Sequence, residues 1–95
     1  MKILAIEKQI PDISAERFQP HLKVEAARIW ELHQAQIIRE IYFRADKSQA
    51  VLILECANLS EARENLESLP LVQQGLISFE IIPLAPYPGF ARLFA

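Results

Sequence analysis

The sequence predicts an α+β fold in which two helices cover one face of a four-stranded antiparallel sheet. Three observations carry that expectation. Ile37 to Cys56 reads as a β-hairpin, with IIREIYFRAD running out and QAVLILECAN running back around Asp46, Lys47 and Ser48. Apolar runs of strand length stand near both ends of the chain, at Lys2 to Gln9 and Leu76 to Ile82. Between each run and the hairpin, apolar residues recur three and four apart, as on one face of a helix.

Lys2 to Gln9 is closed by Pro11 and Asp12, which suits a strand ending in a turn. Its alternation sets Ile3, Ala5 and Glu7 on one face and Leu4 and Ile6 on the other. Ser14 offers an N-cap for a helical segment reaching about Gln36, but Pro20 removes a backbone donor inside it, so the helix proper starts near Pro20 or its first turns bend. Phe18, Leu22, Ala26, Ile29 or Trp30, and His33 make its apolar stripe, with Trp30 expected in the core and His33 at its polar edge. Arg17, Lys23, Glu25, Arg28 and Glu31 are expected on a solvated face.

In the hairpin, Ile37, Arg39, Ile41 and Phe43 with Ala50, Leu52, Leu54 and Cys56 form the natural bed for helices. Asn58 to Glu61 reads as a capping box, Ala62, Leu66 and Leu69 continue the helical stripe, and Pro70 ends it. Gly75 permits a turn into the last strand. The order strand, helix, strand, strand, helix, strand is the split βαβ, or ferredoxin-like, arrangement, and the crossover rule sets the first and third strands side by side and parallel at its centre. Residues 1–84 form this domain and 85–95 an extended tail, because Pro83, Pro86 and Pro88 oppose a helix there.

The chain has 95 residues, 52% of them hydrophobic, with only two glycines, and its net charge is -2. A domain of that size buries roughly two thirds or less of its unfolded surface, so the excess apolar residues predict self-association. No basic run offers a face to nucleic acid or anionic lipid, and no apolar run approaches the ~20 residues of a membrane span. The amino terminus is too short and too charged for a signal peptide, and the reading is cytoplasmic. The single cysteine, Cys56, excludes an internal disulfide and reads as a buried hydrophobe.

Two helices cover only one sheet face. The second, expected to collect Ile3, Ala5, Glu7, Ile38, Glu40, Tyr42, Val51, Ile53, Glu55, Leu76, Ser78, Glu80 and Ile82, is too apolar for water. Packing it on the same face of another copy gives a homodimer, with the tail docked on a neighbouring subunit. With the first and third strands parallel, Glu7 and Glu55 lie at one edge of that face and Glu40 approaches it, a carboxylate cluster suited to acid/base work. Rim ion pairs with Lys8, Arg39 or Arg44 are the structural alternative.

Ser68-Leu69-Pro70-Leu71, the strand end Phe79-Glu80-Ile81-Ile82-Pro83-Leu84, and Tyr87-Pro88 resemble the muconolactone Δ-isomerase family. Phe18, Glu31-Leu32, Arg39, Tyr42 and Glu55 extend the resemblance over Lys2 to Pro88. It implies a dimeric α/β barrel of ferredoxin-like subunits, able to build larger rings, and a cofactor-free shift of a proton between carbons of a small unsaturated lactone. It further implies Glu55 as acid/base and Arg39 as carboxylate clamp. The chain departs from the family at Ile38, where Trp is usual, at Asp46, where a turn glycine is usual, and at the longer Val72 to Gly75 segment.

His21 and His33 have no ligand-spaced companions, so no metal is expected, and no phosphate-binding or nucleophile motif occurs. Two classes remain. One is a cofactor-independent isomerase of small apolar carboxylates, lactones or enols using Glu7, Arg39, Glu40, Tyr42 and Glu55. The other is a non-catalytic oligomeric or ligand-binding barrel. A cofactor-free or haem monooxygenase of this fold, with Trp30 and His33 on a cavity between helix and sheet, is a third and lesser reading.

Overall fold

In the computed structural model, which describes residues 1–95, β1 (Lys2–Gln9) lies at the sheet centre beside β3 (Ala50–Glu55), with β2 (Ile38–Phe43) outside β3 and β4 (Ile77–Pro83) outside β1. All three pairings are antiparallel. The central pair β1 and β3 was expected to be parallel, and this is corrected. The parallel partners are β1 with β2 and β3 with β4, each pair separated by one inserted strand, so the crossover rule acts across that strand. The fold is ferredoxin-like.

α1 (Ala15–Phe18) and a 3-10 turn carrying Pro20 lead into α2 (Leu22–Gln34). Proline thus sits where its missing N–H costs no helical bond. α2 stops in a Schellman turn. Gln36 takes φ 64°, while the Ile37 and Gln36 N–H groups donate to the Leu32 and His33 carbonyls, both at 3.0 Å. After the hairpin, Asn58 caps α3 (Leu59–Glu67) through Oδ1, accepting from the Glu61 N–H at 2.8 Å, and Glu61 Oε2 answers by accepting from the Ala57 N–H at 2.8 Å. Pro70 does not merely end this helix. It opens a further turn, α4 (Pro70–Gln73). Gly75, at φ 71°, then turns the chain into β4.

Register decides the faces. Ile3 pairs with Leu54 and Ala5 with Leu52, so Ile3, Ala5 and Glu7 lie under the helices with the buried Ala50, Leu52 and Leu54. This reverses the face expected for β1. Both of its faces are apolar, so alternation alone did not orient it, and Leu4 and Ile6 are the half-buried residues of the uncovered face. In β2 a bulge between Ile38 and Glu40 makes Arg39 the extra residue. Ile38 therefore joins the core although Ile41 and Phe43 also point to the helix side, and Leu76 is buried in the turn before β4. The main core is formed by Ile3, Ala5, Ile38, Leu52 and Leu54 against Leu32, Ala62, Leu66 and Leu69.

The uncovered face carries half-buried Leu4, Ile6, Val51, Ile53 and Ile82 among Lys8, Glu40, Tyr42, Glu55 and Glu80. Residues 85–95 project from the domain. The radius of gyration is 15.5 Å, against about 12 Å for a compact chain of this length. Tyr87, Phe90, Leu93 and Phe94 are all exposed, with the first two stacked edge to face at 5.1 Å. The extended course ends at Gly89, where a 3-10 turn runs to Phe94. No helix is long and apolar enough to cross a membrane.

Candidate functional site

A cavity of about 480 Å³ opens between α2 and the sheet. α2 meets β2 at its carboxyl end, through His33 and Ile38, and α4 at its first turn, through Glu25 and Leu71. The gap between these supports is lined by Ala26, Ile29, Leu52, Leu71, Ile77 and Phe79. Leu22, Trp30, Ile41 and Phe43 form an exposed apolar mouth. Trp30, expected in the core, is 62% exposed and stands at this mouth with its ring 6.3 Å from that of His33.

Three polar side chains reach the cavity: Glu7, Glu25 and His33. Glu7 is there because the β1–β3 ladder ends at Ile6 and Val51. The next N–H, that of Ala50, donates instead to Glu7 Oε1 at 3.1 Å. Glu25 accepts from the Leu71 N–H at 2.9 Å, where α4 begins. The two carboxylates are 9% and 7% exposed. Glu25 was expected on a solvated face, and its burial overturns that. It lies three residues after Leu22 and four before Ile29, in register with the apolar stripe, and this spacing was the signal available in the sequence.

Burial pushes the pKa of Glu7 up, opposed by the Ala50 N–H. Burial also raises that of Glu25, opposed by the Leu71 N–H and reinforced by the charge of Glu7. The two acids are therefore electrostatic neighbours, and the charge of Glu7 adds to burial in favouring the protonated form of Glu25. His33 Nδ1 lies 2.9 Å from the Ile38 carbonyl. A carbonyl only accepts, so this nitrogen carries the hydrogen and a neutral ring keeps Nε2 as an acceptor. The Schellman turn and the bulge together bring Ile38 back under α2 and hold His33 in that orientation.

These shifts have a stability consequence with a definite sign. A carboxyl whose folded pKa is raised binds its proton more tightly when folded, so its contribution is fully present below the unfolded value of 4.5 and is lost as pH rises through the folded value. Each unit of difference is worth about 1.4 kcal/mol. The double variant Glu7→Gln/Glu25→Gln should consequently melt above the wild type at pH 7.5, with the gap narrowing toward pH 4. A gap that stays constant across that range in calorimetry would refute the buried-acid assignment.

Of the five residues singled out from the sequence, only Glu7 lies in this cavity. Tyr42 is exposed and its hydroxyl donates to Glu40 at 2.9 Å, which raises the phenol's pKa. Glu55 is exposed at the end of β3 and pairs with the amino terminus at 3.3 Å. Because β1 and β3 are antiparallel, Glu7 and Glu55 lie at opposite ends of the sheet and on opposite faces, not at one edge. Arg39, in the bulge, donates through Nε to the Gln36 carbonyl at 2.6 Å. Arg44 makes a two-pronged pair with Asp46, at 2.9 and 2.6 Å. No group of three or more His, Cys, Asp or Glu side chains is arranged to hold a metal ion.

No protein-family profile and no curated protein matches the sequence. Among solved structures, the chain is similar to the 5-chloro-2-hydroxyhydroquinone dehydrochlorinase TftG of Burkholderia phenoliruptrix AC1100 in complex with 2,5-dihydroxybenzoquinone. The TM-score is 0.70 over 94% of this chain and 98% of that one, at 18% identity. At that identity the likeness shows the shared fold.

Proposed function

We propose that the protein is a muconolactone isomerase-like, cofactor-independent acid/base catalyst that moves a proton between carbons of a small unsaturated lactone or related enolisable compound. The observation carrying this reading is the gathering of two buried carboxylates and an imidazole, Glu7, Glu25 and His33, in one otherwise apolar cavity. Buried acid pairs cost stability, and their pKa values are displaced in the direction that proton transfer near neutrality needs. TftG, a dehydrochlorinase solved with a small ring compound on the same fold, supports a small cyclic substrate.

In this reading the ionised Glu7 takes a proton from the carbon beside the lactone carbonyl. The C–H electron pair moves into the ring as a dienolate, whose charge develops on the carbonyl oxygen. Glu25, in its protonated form, which burial and the charge of Glu7 favour, donates a hydrogen bond to that oxygen. Glu7 then returns the proton to the distal carbon and the double bond is left shifted, so no electrons or atoms are exchanged with any other reactant. The test is to incubate the protein in D2O with a β,γ-unsaturated γ-lactone and follow the ring by NMR. Isomerisation, or deuterium entering the abstracted position faster than in buffer, is expected. A panel of such lactones that neither isomerises nor exchanges would refute the reading.

The proposal extends to assembly. Two copies pack their uncovered sheet faces together as a dimeric α/β barrel, with the projecting tail of each lying on its neighbour. The half-buried apolar residues of that face and the exposed aromatics of the tail support this.

A further inference from the structure

We infer that the cavity selects against negative charge, so that its ligand is an uncharged ring compound, and that the Glu7–Glu25 pair enforces the exclusion. This rests on the cavity being the ligand site, as proposed above, and narrows its substrate class.

The charge balance of the walls is one-sided. Glu7 projects from β1 and Glu25 from α2, and the walls contributed by β2, β3, α4 and β4 are apolar throughout. His33 is the one lining group able to become cationic, and its Nδ1–H is already given to the Ile38 carbonyl. No lysine or arginine lines the cavity. The arginines of α2 and β2 are held elsewhere: Arg28 on Ser68 Oγ at 2.9 Å and Glu31 at 2.8 Å, and Arg39 on the Gln36 carbonyl. A carboxylate ligand would face two glutamates in an apolar surround, with no guanidinium to replace its lost hydration. Each glutamate uses one oxygen on a backbone N–H. The other oxygen is left to hydrogen-bond a hydroxyl, or, when protonated, to donate to a carbonyl. Both are features of neutral lactones and enols.

Trp30, the chain's only tryptophan, stands at the mouth and reports binding through its own fluorescence. The test compares one unsaturated γ-lactone bearing an acetic acid side chain with its methyl ester, at pH 8. The ester is expected to bind at least about tenfold more tightly than the carboxylate, as like-charge repulsion near a carboxylate requires. In Glu7→Gln/Glu25→Gln, whose amide oxygens can accept the same backbone N–H groups, the difference should disappear. Equal affinities in the wild-type protein would overturn the charge selection while leaving the ligand site standing. A difference that persists in the folded double variant would remove the role given to the pair. If neither compound alters Trp30 emission at millimolar concentration, the ligand-site reading falls, and this inference with it.

Discussion

Glu7→Gln should lower lactone isomerisation by roughly a hundred- to ten-thousand-fold, the usual worth of a positioned general base. The amide keeps an oxygen that can accept from the Ala50 N–H, so the β1–β3 junction survives, but it has no basicity to remove a proton from carbon. Because Gln relieves a buried charge, the variant should fold at least as well as the wild type. Lost activity would then be chemical, not a consequence of unfolding. The same D2O experiment reads the result through the exchange rate, and a folded variant retaining wild-type exchange would exclude Glu7 as the base.

Ile53→Lys should convert the proposed dimer into monomer. Ile53 stands at the middle of the uncovered face, opposite Leu4 on β1 and Glu40 on β2. In a single subunit a lysine there can lay its methylenes along the strand and keep its ammonium in water. Between two apposed faces, a lysine from each copy would be desolvated beside its symmetry mate, a cost of several kcal/mol per ion. Sedimentation should show half the wild-type mass, with helical and sheet content unchanged. A variant that sediments as the wild-type dimer, or a wild type that is already monomeric, would refute packing through this face.

Element order was legible in the sequence because periodicity and punctuation agree: strand-length runs, Pro11 and Gly75 at turns, and the Asn58–Glu61 capping box each mark a boundary. The faces were less legible. β1 is apolar on both sides, so only its cross-strand register with Leu52 and Leu54 orients it. β2 changes parity at the Arg39 bulge, which no alternation pattern signals. The candidate site suffered from both effects, since Glu7 was followed to the wrong face and Glu25 was read by its charge and not by its spacing. A glutamate in register with Leu22 and Ile29 is a buried glutamate once α4 supplies the Leu71 N–H, a partner that no local pattern predicts.

The bulge in β2 acts as a frame marker. Drawn as a regular strand from Ile38, the same six residues would turn Glu40 and Tyr42 toward the cavity and send Ile41 and Phe43 to the opposite face. Deleting Arg39 would instead straighten the strand with its faces unchanged. One residue of slippage therefore separates an apolar wall from one bearing a carboxylate and a phenol. Descendants of this chain could reach new chemistry in the cavity by a single-codon insertion or deletion in β2 beyond Arg39, with the bulge kept, a shorter route than replacing its side chains one by one.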